Sequence, residues 1–572
     1  MKTKLLIFLL VAVSISMSNK GGFKSPKMTN KMLDKNYKKW LKNDMRYYQG
    51  TEPNTFITVV DDEDKKTDYF TLYNSTNLKA IKSFKIPLKK RESGQKMFKT
   101  DYVILKEGII QVYSYYDSKL DKFYVKGQRF DLKGKSQGKT VSMGTFSVKR
   151  KSEVGIIKYT TSGDKSKIAI YRNPPDGRFE DEVLAISLFD NELNKIYDRD
   201  LKVSSASLLA DVDAVLVNDS GKLFLAIQEY EVKNPAKKKQ KRELSNSEFK
   251  LYTIDQDNEV LDEIKIKSKN KFIFTVNAVL SDDGNKLILS GLHNDVKNET
   301  KKEKRKSSYG FNGVYYISLD TKNWGIETEK FSDIDNSDLQ HITLASISTD
   351  INSRKANKKL NNNDIELSSY KTRNVFVKKD NTLVMIMEKV YVVRVCTRDA
   401  KTGIESCTYY YYNLEILEFH LNTEGVIERV VVIPKRQISP NTDFFNGFIT
   451  ILNEDDEIVH IYNDHSNNFN IKKQAKHNNP FKYSFSAAYN IINRPKWMLA
   501  AVSAESPDKS GKSVKGKSNK INKNPYYDNF KKTSLLMPKH GISINKNVYI
   551  CSYYIRKPKA FGISSFSYAN EK

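Results

Sequence analysis

The chain has 572 residues, 39% of them apolar and 29% charged, with only 25 Gly and 14 Pro. That composition excludes a disordered, collagen-like or multi-span membrane protein and leaves ample apolar material for a core. Lys and Arg number 96 against 68 Asp and Glu, and the resulting formal charge of +28 favours an anionic partner such as envelope polymer, lipid or nucleic acid.

Taken in chain order, Lys2 and Lys4 precede an apolar run from Leu5 to Val13, and Ser16-Met17-Ser18 supplies the small residues that a signal peptidase reads. The run is too short for a membrane anchor, which needs about 20 apolar residues. Residues 1–18 are therefore expected to be an export signal. Its removal takes Lys2 and Lys4 away and lowers the charge from +28 to +26. No later stretch is long and apolar enough to span a bilayer, so the product is expected to be secreted, periplasmic or attached to the cell surface.

A basic segment, residues 19–45, follows, with a short helix expected over Asn30 to Leu41. Beyond it the helical period gives way to a repeating unit of four strands: strand, tight polar turn, strand, variable loop, strand, tight turn, strand. In the clearest copy the strands are Ala214–Val217, Leu223–Val232, Phe249–Ile254 and Val260–Lys267. The next copy runs from Thr275 to Phe331. Its turn glycine, Gly284, lies 63 residues after Gly221 of the copy before. Further copies fit Val154–Leu201, Asn374–Ile433 and Tyr102–Met143. Phe56–Leu88 reads as a copy lacking its first strand, and copies around Phe444–Tyr462 and Ser534–Phe566 are degraded. Four-strand sheets repeated without helices predict an all-β β-propeller over 46–572. About seven blades are expected, within a range of six to eight, with both chain ends closing the ring. The competing architecture is two or more β-sandwiches.

The loop between the second and third strands carries the basic runs. Lys237, Lys238, Lys239, Lys241 and Arg242 fall there in one copy, and Lys301, Lys302, Lys304, Arg305 and Lys306 in the next. A third run with Lys512, Lys515 and Lys517 follows Trp497–Val502 and is expected in a similar place. Such loops leave a propeller on one face, so the three runs predict one electropositive rim for anionic polysaccharide, another envelope component or a protein partner. Nucleic acid is disfavoured, because the chain is exported and the runs lack interleaved aromatics for stacking.

Other motifs point to structure. Gly134-Lys135-Ser136-Gln137-Gly138-Lys139-Thr140 has one residue too few between its glycines for a phosphate loop and precedes a β-like stretch, so it reads as a hairpin turn. His460, His465 and His477 with Asp464 form the one histidine cluster, but strand spacing sets His460 and His465 on opposite sides. Asp333, Asp335 and Asp338 lack the glycine and distal Glu of a calcium loop and read as a solvated turn. Ser281-Asp282-Asp283-Gly284 lacks the spacing and Trp of a sialidase Asp-box. No cofactor or metal is expected. Among three cysteines, Cys396 and Cys407 flank a hairpin whose turn would set them opposite each other as a disulfide, and Cys551 reads as a buried hydrophobe.

The block Tyr412-Asn413-Leu414-Glu415-Ile416, Asn422-Thr423-Glu424-Gly425 and Ile433-Pro434-Lys435-Arg436-Gln437 resembles one found in uncharacterised secreted bacterial proteins with propeller-like repeats. That resemblance implies a propeller and no functional residues. The reading it leaves is an exported binding or scaffolding propeller; the alternative is a hydrolase acting on glycan or peptide with carboxylates in the channel.

Overall fold

Short polar turns set the architecture. At Asn218 the amide donates to the Lys222 carbonyl (3.0 Å), and its Oδ1 accepts from the Lys222 amide (2.9 Å). Gly221 closes this turn at φ +96°, in the left-handed region that glycine enters without steric cost. The turn at Ser281 repeats the device with Gly284 at φ +68°, and that at Asn422 with Gly425 at φ +77°. Each reverses the chain after an apolar strand and begins an antiparallel pair.

The computed structural model describes residues 27–32, 45–148, 154–173, 183–202, 208–232, 242–295, 310–349, 367–465, 495–502, 519–520 and 534–567, less a few positions inside turns. Their strands form eight antiparallel sheets, and the fold is a β-propeller. Blade one comprises Arg46–Gln49, Thr55–Asp62, Thr67–Asn74 and Ala80–Pro87. Blade two comprises Gln95–Leu105, Gly108–Asp117, Lys122–Phe130 and Ser136–Ser147, with Arg91–Glu92 as a small extra strand. Blade three comprises Ile156–Thr161, Lys167–Asn173, Val183–Asp190 and Lys195–Lys202, and blade four Leu208–Val217, Leu223–Val232, Arg242–Ile254 and Asp262–Ile266. In blade five the first strand is split into Lys271–Ile273 and Asn277–Leu280, followed by Lys286–Asp295, Gly313–Asp320 and Gly325–Asp333. Blade six has Tyr370–Val377, Leu383–Arg398, Glu405–Leu421 and Ile427–Ile433, plus Gln437–Pro440. Blade seven has Ile449–Leu452, Ile458–His465, Pro495–Val502 and Asn519–Lys520. Blade eight takes three strands from the end of the chain, Ser534–Asn545, Val548–Ile555 and Ala560–Ser567, and its fourth, Lys27–Met32, from the beginning.

Two expectations are corrected by this topology. Asn30 to Met32 belong to a strand, with Lys31 opposite Ile563, and the remainder of the expected helix, 33–41, lies outside the described residues. Blade one does have its first strand. Arg46–Gln49 is only four residues long and polar, which hides it from a pattern search. Both chain ends do meet in one sheet, but the N-terminal strand enters as the outermost member of blade eight. Residues 1–18 lie outside the described residues. Among the described residues no helix is long and apolar enough to cross a membrane.

The cores lie between blades, because each sheet is apolar on both faces and covers one with each neighbour. Phe70 and Ile86 meet Tyr102 and Ile109 between blades one and two. Leu188 meets Leu225 between three and four, Leu251 meets Ile317 between four and five, and Tyr316 meets Phe419 between five and six. Ile416 and Val431 meet Ile458 between six and seven, while Ile550 and Ile563 of blade eight meet Phe56 and Tyr73 of blade one. Between seven and eight, Asn463 Nδ2 donates to the Leu536 carbonyl (2.9 Å) and the Leu536 amide donates back to Asn463 Oδ1 (3.1 Å). Val125 and Met143 of blade two meet Ile168 and Ile170 of blade three, so consecutive blades are joined all the way round. First strands of adjacent blades pack on one another, which marks them as innermost.

A helix, Asn336–Thr349, interrupts the repeat between blades five and six. Asp335 caps it, its Oδ1 accepting from the Asp338 amide (2.7 Å) and the Ser337 hydroxyl (2.8 Å). Leu339 and Ile342 join Ile334 in the core between those blades. The acidic turn expected at Asp333–Asp338 is therefore a helix start.

Lys31 carries its ammonium over the Tyr73 ring of blade one, 4.9 Å from the centroid, so the N-terminal strand ties blade eight to blade one as well as completing it. Deleting residues 27–32 is expected to lower the thermal midpoint by at least about 5 °C. Differential scanning calorimetry checks this, and an unchanged midpoint would mean that the strand is ornamental.

Candidate functional site

Strand direction alternates within a blade, so loops joining second to third strands leave at one end of the ring, together with the connections between blades. Residues 233–241 join the second and third strands of blade four, and 296–312 those of blade five. The two basic insertions thus start from the same end of neighbouring blades. Lys237, Lys238, Lys239, Lys241, Lys301, Lys302, Lys304, Arg305 and Lys306 themselves lie outside the described residues; the backbone of Arg242 opens the third strand of blade four, opposite Val232. Lys512, Lys515 and Lys517 also lie outside. Their run connects the third and fourth strands of blade seven and so leaves from the opposite end, contrary to the expected shared rim. The reason is that Ile458–His465 is already the second strand, which makes Pro495–Val502 the third.

A polar cluster stands where the inner strands of blades one to three converge. Arg46 Nη2 donates to Asp61 Oδ1 (2.5 Å), and Nη1 donates to Asp101 Oδ1 (3.3 Å). The Tyr48 hydroxyl donates to the same Asp101 oxygen (3.2 Å), and Tyr159 also bonds this carboxylate. Behind them the buried Asp68 accepts from the Tyr102 hydroxyl (2.6 Å). Burial and neighbouring carboxylates push the Tyr48, Tyr102 and Tyr159 phenols above their ordinary range, so they stay protonated donors. Arg46 and the tyrosines hold these carboxylates on protein partners.

Blade six buries charge more deeply. Lys435 and Glu388 are both fully buried and paired at 2.8 Å. Lys435 Nζ also donates to the Asn413 carbonyl (3.1 Å) and Gln437 Oε1 (3.2 Å), while Arg373 grips Glu388 Oε2 through Nε (2.8 Å) and Nη2 (2.5 Å). Burial alone would raise Glu388, but Lys435 and Arg373 outweigh it and hold the carboxyl below its usual range. Nearby, the buried Glu415 accepts from the Thr349 and Tyr370 hydroxyls, both at 2.6 Å. Glu418 accepts from His420 Nε2 (2.8 Å) on its own strand and His460 Nε2 (2.7 Å) of blade seven. Those two bonds overcome burial and bring Glu418 down to about 2.

His460 therefore works with His420 and Glu418; the side chain of His465 and the whole of His477 lie outside the described residues. His293 is buried against Gly313, where a Cβ would come within 2.2 Å of its ring, and burial lowers it to about 4. Gly134 and Lys135 lie in the hairpin turn between the third and fourth strands of blade two, with the Gly134 amide donating to the Asp131 carbonyl, and Ser136–Thr140 begin the fourth strand. Asp283 closes the Ser281 turn, and the Ser281 hydroxyl and Asn285 amide bring it to about 2. Asp282 lies outside the described residues. Among the described residues the one cluster with metal-ligand spacing is Cys396, Glu405 and Cys407. Its two sulfurs are joined to each other at 2.10 Å.

That disulfide staples the second and third strands of blade six, which run on past the sheet as a hairpin. Cys396 stands opposite Cys407 with Cα atoms 4.0 Å apart. Val392, Val395 and Ile404 are exposed, Tyr409 is exposed at 43%, and Tyr391 stacks on Tyr412 at 4.5 Å. The run Tyr409–Tyr412 thus belongs to the return strand of this hairpin. Cys551 is a buried free thiol, pushed up by burial.

No family model matches the chain, and no curated protein matches it. Among solved structures it is similar to the polysaccharide lyase Uly1 (TM-score 0.33, 10% identity, 91% of this chain and 90% of that one). A prolyl endopeptidase is similar at TM-score 0.32 and 10% identity; the match takes in 74% of this chain but only 55% of the endopeptidase. The β-propeller domain of the Trilobed protease from Pyrococcus furiosus is similar at TM-score 0.26 and 12% identity, covering 64% of this chain and 91% of that domain. Likeness this loose transfers no activity.

The buried pair gives a direct test of the blade-six network. Glu388→Leu leaves Lys435 buried without its nearest counter-charge and is expected to cost about 3–5 kcal/mol, whereas Glu388→Leu with Lys435→Met should recover most of that. Urea denaturation of the two variants measures the difference; equal stabilities would remove the coupling.

Proposed function

We propose that the chain is an exported, non-catalytic binding propeller whose second-to-third-strand end takes an anionic partner, either envelope polysaccharide or an acidic protein. The supporting observation is that the insertions carrying Lys237–Arg242 and Lys301–Lys306 start from the same end of adjacent blades four and five. Nine cations carried by loops on neighbouring blades, with Arg242 at the strand start beside them, concentrate positive potential beyond what a formal charge of +28 spread over the whole surface would give. The Arg46 cluster favours binding over hydrolysis, since Asp61 and Asp101 are engaged by Arg46 and by tyrosine hydroxyls. The competing reading, a hydrolase with channel carboxylates, requires a pair of carboxyls free to exchange protons and meet substrate.

Retention on heparin–agarose as a polyanion probe tests the proposal. Replacing the ten cations by Gln should move elution to markedly lower salt, because each lost contact reduces the salt dependence. Replacing Lys512, Lys515 and Lys517, which leave from the other end, should shift it much less per cation removed. Equal shifts per cation from both sets would reduce the effect to net charge and overturn the assignment of a face.

A further inference from the structure

The first strand of blade six pairs with the second only as far as Lys389, and the last bond on that side runs from the Val390 amide to the Ser369 carbonyl (2.7 Å). From Val392 to Arg398 the second strand has the hairpin's own return strand on one side and no backbone partner on the other among the described residues. At about 3.3 Å per residue this edge extends roughly 23 Å.

The backbone direction along that edge follows from the disulfide. Cα atoms 4.0 Å apart mark Cys396–Cys407 as a narrow, non-hydrogen-bonded pair, whereas Asp399, three residues on, is bonded to Ile404 (3.0 Å). Pairs alternate, so Val392, Arg394, Cys396 and Arg398 all turn their N–H and C=O groups outward. Proteins usually blunt such an edge with proline, a bulge or a free lysine. Here the two arginines that could do so are held by the hairpin itself. Arg394 Nη2 bonds Cys407 Sγ (3.1 Å), and Arg398 Nε donates to the Gly403 carbonyl (3.1 Å). The face flanking the edge carries Val393 and Val395, which are 36% and 45% exposed.

We infer that this edge accepts an extended acidic segment of a partner protein as an added antiparallel strand. Strand addition supplies main-chain bonds to the outward groups, with alternate side chains settling on Val393 and Val395. Charge selects the partner. Arg394, Arg398 and Lys401 outnumber Asp399 and Glu405 along the edge and tip, although Arg394 also pairs with Glu405 (3.7 Å), and a second copy of a chain with formal charge +28 would meet the edge with repulsion. The staple holds the two strands in register, so less ordering cost falls on binding.

The test uses the full chain with two eight-residue capped peptide probes, alternating Glu with Val and alternating Lys with Val. The acidic peptide is expected to bind and to slow hydrogen exchange at the amides of Val392, Arg394, Cys396 and Arg398, while the basic peptide does neither. Val392→Pro removes one outward N–H without touching a hydrogen bond inside the hairpin or any charge. It should weaken the acidic peptide about tenfold or more, with the disulfide formed and the thermal midpoint unchanged. Binding of neither peptide, equal binding of both, or no effect of Val392→Pro would overturn the proposal. So would edge amides already protected in the free protein, which would mean that the chain covers this edge itself, or a dimer that Val392→Pro dissociates, which would make the partner a second copy.

Discussion

Everything in this molecule depends on closing the ring. Each sheet is apolar on both faces, so a blade is stable only when it has a neighbour on each side, and a linear row of eight would leave two apolar faces in water. Closure is achieved where Ile550 and Ile563 of blade eight pack on Phe56 and Tyr73 of blade one. The Tyr47 hydroxyl also bonds that of Ser552 (2.6 Å), and Gln49 Nε2 donates to the Ser543 and Ile544 carbonyls (both 3.1 Å). The N-terminal strand then pairs with Ala560–Ser567, so the contact between first and last blades is held by backbone as well as by side chains.

The same closure explains what one end of the ring can carry. Loops there are free to lengthen, because no core depends on them. Blades four and five use that freedom for long basic insertions, and blade six for a hairpin arm. Blade six bears the extra load on a network of fully paired buried charges, with Lys435, Glu388, Glu415 and Glu418 each satisfied by two or more partners. Such a network costs desolvation but tolerates few alternative packings.

Much of the fold was legible in residues 154–333 and 374–433, where apolar strands alternate with Asn, Asp or Ser turns closed by a left-handed residue. The architecture was readable there because turn chemistry and strand period agree. It was less readable at Arg46–Gln49, which is short and polar, and at Lys27–Met32, whose β character comes from pairing with a strand more than 500 residues away. The helix Asn336–Thr349 was missed because its buried face mixes Leu339 and Ile342 with Thr343, Ser346 and Thr349. The disulfide pairing was visible because local hairpin register fixes it. The Arg46 cluster was not, since it joins three blades that no local pattern links. Blade six left a fainter signal: Glu388, Glu415 and Glu418 interrupt otherwise apolar strands, and an acid in such a run implies a buried partner.

Hydrogen exchange on the intact protein tests the closed ring most directly. Peptides spanning Lys27–Met32 should exchange nearly as slowly as those spanning Ala560–Ser567, because the two strands share one ladder and open together. Rapid exchange of residues 27–32 beside a protected 560–567 would contradict the account, since the first and last blades would then meet without the strand that joins the two ends of the chain.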